Sequence, residues 1–113
     1  MRKPLAMGLL ILLVVALLTA GPALSKTKSV EVDDNYFVHE GKPSTVSVKA
    51  GSKVKWEWEG KSTHNVTVTK GPVKFHSKDK TSGSYTKTLR KKGTYKIVCT
   101  IHAPDMRMTL KVE

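Results

Sequence analysis

Apolar residues recur at alternate positions through almost every segment after Lys26, and this period of two limits what the chain can fold into. Val30 and Val32 alternate with Ser29 and Glu31, and Val46 and Val48 with Thr45 and Ser47. Val54, Trp56 and Trp58 alternate with Lys55, Glu57 and Glu59, and Val66 and Val68 with Thr67 and Thr69. Tyr95, Ile97 and Cys99 share one face, and Met108, Leu110 and Val112 share another. Successive side chains of a strand point to opposite faces, so this pattern predicts half-buried strands of an antiparallel sheet. Gly41-Lys42-Pro43, Gly51, Gly60, Gly71-Pro72, Gly83 and Gly93 fall between the runs, where a turn needs permissive backbone. The runs predict about seven strands, near Ser29–Val38, Ser44–Ala50, Lys53–Glu59, Asn65–Thr69, Tyr85–Leu89, Thr94–Cys99 and Met108–Val112. That many short strands predict an all-β, antiparallel Greek-key sandwich. The stretch from Pro72 to Ser84 is the longest irregular one, and its structure is left open.

The first 25 residues follow a different rule. Arg2 and Lys3 precede an apolar run from Leu5 to Ala20, interrupted only by Gly8 and Thr19, and Ala23-Leu24-Ser25 offers small residues for a peptidase. This is the layout of a secretory signal peptide, and it places cleavage after Ser25. An uncleaved membrane anchor is the alternative. Flanks and length favour cleavage, because the run is slightly short for a comfortable span. The expected organisation is therefore a signal peptide at 1–25 and one domain at 26–113, exported to the periplasm or the extracellular space.

An 88-residue domain, Lys26 to Glu113, has a marginal core, and such domains often use disulfides or a metal. Cys99 is the only cysteine, so no internal disulfide forms. An unpaired thiol in an oxidising compartment is a liability unless buried or bound, and a metal would bind it. Without Arg2 and Lys3, the 20 Lys and Arg fall to 18 against 9 Asp and Glu, a net +9. Such charge suits acidic proteins or an anionic membrane surface, or it is a solvated face. Nucleic acid is disfavoured by export and by the lack of basic runs interleaved with base-stacking aromatics.

The chemistry concentrates near the end, at Cys99-Thr100-Ile101-His102-Ala103-Pro104-Asp105-Met106. A thiolate, an imidazole and a thioether within eight residues suit copper, and a weak axial Met completes a His₂Cys trigonal site. The second histidine must come from elsewhere, and His64, at the start of a strand just after a turn, is the candidate. His39 and His76 read as surface residues, and Trp56 and Trp58 as packing. Met108 competes with Met106, but it alternates with Leu110 and Val112 as a core residue would. Loop position favours Met106.

From about Tyr36 to Val112 the chain resembles the cupredoxins of the plastocyanin and amicyanin type. The resemblance rests on Val54-Lys55-Trp56-Glu57-Trp58, on His64-Asn65, on Tyr95-x-Ile97-x-Cys99 and on the Cys-x-x-His…Met loop. It implies that His64, Cys99 and His102 bind one type 1 copper in a plane and that a downstream Met, here Met106, is the weak axial ligand. The His-to-Met interval varies in that family and is three residues here. The resemblance also implies that Asn65 hydrogen-bonds across to the ligand loop and toward the Cys sulfur. His102, beside Ala103 and Pro104, would be an exposed electron port.

The expected function follows: a monomeric blue-copper protein carrying single electrons between redox protein partners, acidic ones included, and not an enzyme. Copper carriage or sequestration without electron transfer is the alternative. Oxidases and nitrite reductases need His-x-His or His-Cys-His clusters that the chain lacks, and Cys99 on an inward strand face is a poor nucleophile for a hydrolase. A metal-free binding module would leave the Cys-His-Met arrangement to chance.

Overall fold

The computed structural model describes residues 26–39, 42–43 and 45–113, so the expected signal peptide and its cleavage point lie outside the described residues. Those residues form strands β1 (Thr27–Asp33), β2 (Tyr36–His39), β3 (Lys42–Pro43), β4 (Thr45–Val48), β5 (Ser52–Trp58), β6 (Thr67–Lys70), β7 (Ser84–Leu89), β8 (Gly93–Val98) and β9 (Arg107–Val112). Two sheets result, ordered β3-β2-β1-β5-β7 and β4-β9-β8-β6. Among the described residues no helix is long and apolar enough to cross a membrane.

The period of two explains the sandwich. Val30 and Val32 of β1 and Val54, Trp56 and Trp58 of β5 are buried, as are Tyr95 and Ile97 of β8 and Met108, Leu110 and Val112 of β9. These side chains, with Val46, Val48 and Phe37, form one core between the sheets. β1, β4, β5, β8 and β9 each bury one face of alternate residues and turn most of the residues between them outward.

Both sheets are mixed. β1 pairs with β5 in parallel, and β4 with β9 in parallel, while the other pairings are antiparallel. Alternation reports which face is buried and not which strand lies alongside, so it could not show the two parallel pairs. A parallel neighbour needs a crossover. Here the chain leaves the first sheet at β4, returns at β5 and crosses again to β6, which sets β5 beside β1.

Two further details differ from the reading of the runs. Ser29–Val38 is two strands, because Asp34-Asn35 makes a tight turn with Asn35 at φ 82°. Asparagine tolerates that left-handed backbone better than most residues. The Pro72–Ser84 stretch is anchored: Phe75 enters the core, His76 bridges to Thr67, and Lys80 bridges to His64.

Candidate metal centre

Four chain segments meet at one end of the sandwich. His64 follows the β5 turn, Cys99 follows the last residue of β8, His102 and Met106 lie in the loop before β9, and Asp34 sits in the β1–β2 turn. β8 delivers Cys99 because Tyr95, Ile97 and Cys99 share its inward face, and all three are fully buried. The loop is then closed by its own backbone. The His102 amide donates to the Cys99 carbonyl at 3.1 Å, the Met106 amide to the His102 carbonyl at 3.2 Å, and the Cys99 amide to the Met106 carbonyl at 3.0 Å.

The ligating atoms of His64, Cys99 and His102 all lie within 4.8 Å of one another. Cys99 Sγ is 3.6 Å from His102 Nδ1 and 3.9 Å from His64 Nδ1. With bonds of about 2.3 Å to sulfur and about 2.0 Å to nitrogen, a 120° angle at a metal separates the two donors by about 3.7 Å. Both sulfur-to-nitrogen separations therefore match a near-trigonal arrangement about one ion, and the thiolate and imidazole donors suit copper. The two imidazole rings stand 4.9 Å apart between centroids and are tilted by 50°.

Burial divides the cluster. His64 and Cys99 are inaccessible to solvent, whereas His102 is half-buried beside exposed Ala103 and Pro104 and an Ile101 that is 47 % exposed. Met106 is fully buried at the end of the loop. Met108, by contrast, lies on β9 inside the core, and its sulfur accepts the Trp56 indole N–H at 3.4 Å. His39 contacts the Ser29 carbonyl and His76 that of Ser77; neither belongs to the cluster.

The surroundings fix these groups. The Asn65 amide points at Cys99 Sγ from 3.5 Å. Its side chain donates to Thr100 Oγ1 and Asp79 Oδ1, both at 2.8 Å, and its Oδ1 accepts from the Thr100 amide at 3.1 Å and the Thr67 hydroxyl at 2.8 Å. The Thr100 amide, next to Cys99, donates to Asn65 Oδ1. His64 is clamped along its own backbone. It exchanges N–H and C=O with Lys80 at 2.9 Å each way, and its carbonyl also accepts the Trp58 indole N–H at 3.2 Å.

Asp34 is the residue that sequence reading missed. Its Oδ1 lies 3.0 Å from His64 Nε2 and accepts the Lys61 and Ser62 amides at 3.0 and 2.9 Å, and Oδ2 accepts the Lys61 amide at 3.0 Å. Hydrogen bonds from the Lys61 amide, then from His64 and then from the Ser62 amide hold this carboxyl far below the usual carboxylate range. Reading Ser29–Val38 as one strand concealed it, although Asp-Asn within an alternating run was a turn signal.

A family model, copper-binding proteins of the plastocyanin/azurin family, matches residues 26–113. Among solved structures the chain is similar to amicyanin from Paracoccus versutus, with 28% identity, 84% of this chain and 87% of that one covered, and a TM-score of 0.65. A purple cupredoxin from Nitrosopumilus maritimus is 20% identical over 76% of this chain and 99% of its own, with a TM-score of 0.62. A copper-containing nitrite reductase from Thermus scotoductus is 21% identical over 98% of this chain and 25% of its own, with a TM-score of 0.65. The last two likenesses are of fold alone. With residues 26–113 matched throughout and the sandwich shared with amicyanin, the chain belongs to the plastocyanin/azurin family of copper-binding proteins, and its cofactor is one copper.

Proposed function

We propose that the protein is an exported electron carrier and not an enzyme, with His64, Cys99 and His102 as copper ligands, Met106 as the weak axial ligand, and redox proteins, acidic ones among them, as partners of the monomer. The observation that carries this reading is the His64, Cys99 and His102 cluster, with sulfur-to-nitrogen separations of 3.6 and 3.9 Å. Copper supplies a one-electron couple there. The chain's task is to keep donor positions the same in both oxidation states, and a site held on strand ends and cross-strand hydrogen bonds does that. The Asn65 amide aimed at the Cys99 sulfur draws charge from the thiolate and so tunes the potential. Met106 is favoured over Met108 because the Met108 sulfur is engaged by Trp56 in the core.

The half-buried edge of His102 gives electrons a short path to the surface, and Ile101, Ala103 and Pro104 frame it with a small apolar rim for brief docking. The net +9 of residues 26–113 would steer acidic partners. Retention of the ion, rather than its delivery, is supported by the complete burial of His64 and Cys99. Export is supported by the signal-like 1–25 segment and by a lone thiol that the metal protects.

Loading with Cu(II) tests the reading. The oxidised protein should show an intense visible thiolate-to-copper charge-transfer band that disappears on reduction and returns on reoxidation. Cys99→Ser should abolish it, since the 26–113 chain has no other thiol. A colourless oxidised protein, or Cys99→Ser binding Cu(II) as well as the parent, would overturn the assignment. A coloured protein that exchanges electrons slowly and gives up its ion readily to a thiol chelator would point to copper carriage.

A further inference from the structure

We propose that Asp34 is a positioning residue for the copper site: its carboxylate holds His64 in the one tautomer and orientation that leaves Nδ1 free to ligate. The inference rests on His64 being a ligand. A neutral imidazole carries one N–H and one lone pair. The two nitrogens of His64 face different groups, Nδ1 the sulfur of Cys99 and Nε2 the Asp34 carboxylate at 3.0 Å. An ionised carboxylate only accepts, so Nε2 must carry the proton and Nδ1 must present its lone pair to the cluster. With the proton on Nε2, Nδ1 is the nitrogen of this ring left to ligate.

The carboxylate is itself built into place. Asp34 is 30 residues from His64 in sequence and reaches it only because Asn35 turns the chain with φ 82°. The Lys61 and Ser62 amides then grip both carboxylate oxygens and fix their plane. Gly60 leaves the room for this contact: a Cβ there would stand 2.8 Å from the Asp34 amide nitrogen and 2.6 Å from its carboxyl carbon. The same carboxylate thus ties down the loop before His64 and orients the ring. Histidine ligands commonly donate their second N–H to a carboxylate, and such partners affect metal affinity by about 10–100-fold. A carboxylate charge accepting the remote N–H also makes the imidazole a stronger donor and favours Cu(II) over Cu(I).

The test separates orientation from loop support. In the copper-free protein, long-range ¹H–¹⁵N correlation of the His64 ring should show the proton on Nε2. Asp34→Ala should give a mixture of tautomers and weaken Cu(II) binding about tenfold or more. Asp34→Asn keeps an oxygen acceptor for the Lys61 and Ser62 amides and removes the charge, so it should fold normally and shift the reduction potential upward. A parent protein with the His64 proton on Nδ1 would overturn the proposal. So would an Asp34→Asn variant whose potential and copper affinity match the parent's, even if Asp34→Ala lowers the unfolding midpoint, because that pattern means loop support alone. The tautomer measurement needs no copper, so its outcome stands apart from the failure of the electron-carrier reading, which the missing colour band of the parent would reveal.

Discussion

The two histidines of the cluster are held in opposite ways. His64 is fully buried and fastened by groups from three other segments: Lys80 and Trp58 on its backbone, Asp34 on its ring. His102 is half-buried in a loop closed by backbone bonds between Cys99, His102 and Met106. One ligand is a fixed reference tied to β5, to the β1–β2 turn and to the segment at Lys80, and the other is a surface-facing group on a short self-closed loop. An electron carrier needs both kinds, since donor positions must not relax when the charge changes, yet one ligand must approach the partner. The difference also says where variation is tolerated. The rim at Ile101, Ala103 and Pro104 can change with the partner, whereas the groups around His64 cannot change without moving a donor atom.

The largest expected effect comes from removing each imidazole. His64→Gly and His102→Gly should both lose the parent charge-transfer band. Added imidazole should enter the solvent-facing gap of His102→Gly and restore it. The gap in His64→Gly is interior, so rescue there should need a concentration at least about tenfold higher, a difference of about 1.4 kcal/mol. Equal rescue of the two variants, read by visible titration, would erase the distinction between a buried and an accessible ligand.

A smaller effect concerns the end of the His102 loop. Met106→Gln should alter the band and lower the potential, because an amide oxygen favours Cu(II) more than a thioether does. Met108→Leu should leave colour and potential nearly unchanged and cost less than about 1.5 kcal/mol in urea unfolding, as a volume-conserving core change that also gives up the Trp56 contact. Voltammetry of the two variants side by side decides which sulfur faces the cluster, and the reverse pattern would reassign it.

The smallest expected effect probes the strap between the two regions. Asn65 is nearly buried and joins the His64 segment to Thr100 of the ligand loop through two hydrogen bonds. Asn65→Ala should lower stability by about 1 kcal/mol, since its hydrogen bonds are lost but the exposed partners Thr100 and Asp79 can turn to water. Urea unfolding measured with and without copper sharpens the point. If the strap mainly fixes the loop, the variant should recover part of the loss when copper itself cross-links the segments.

Particular residues show how far the sequence reached. Val30, Val54, Trp56, Tyr95 and Leu110 could be placed in a sandwich core from alternation alone, because burial of one strand face is written in neighbouring letters. Cys99, His102 and Met106 could be grouped as candidates because they are close in the chain. The His64 to Cys99 approach, at 3.9 Å, could not be measured that way, and neither could the burial difference between the two histidines. Asp34 was invisible as a neighbour of His64, and Phe75 as a core residue, for one reason: each is placed by turns and crossovers rather than by its own surroundings.

Local pattern therefore determined the strand-forming segments, their buried faces, the marginal core size and the supply of one thiol with soft partners. Those properties depend on residues within a few positions of one another, where side-chain period and turn chemistry act directly. Tertiary structure decided the parallel pairing of β1 with β5 and of β4 with β9, the convergence of four segments at one end, and which nitrogen of His64 faces the cluster. Such properties are set by hydrogen-bond partners some thirty residues apart, such as Asp34 and His64, which meet because β1 lies beside β5.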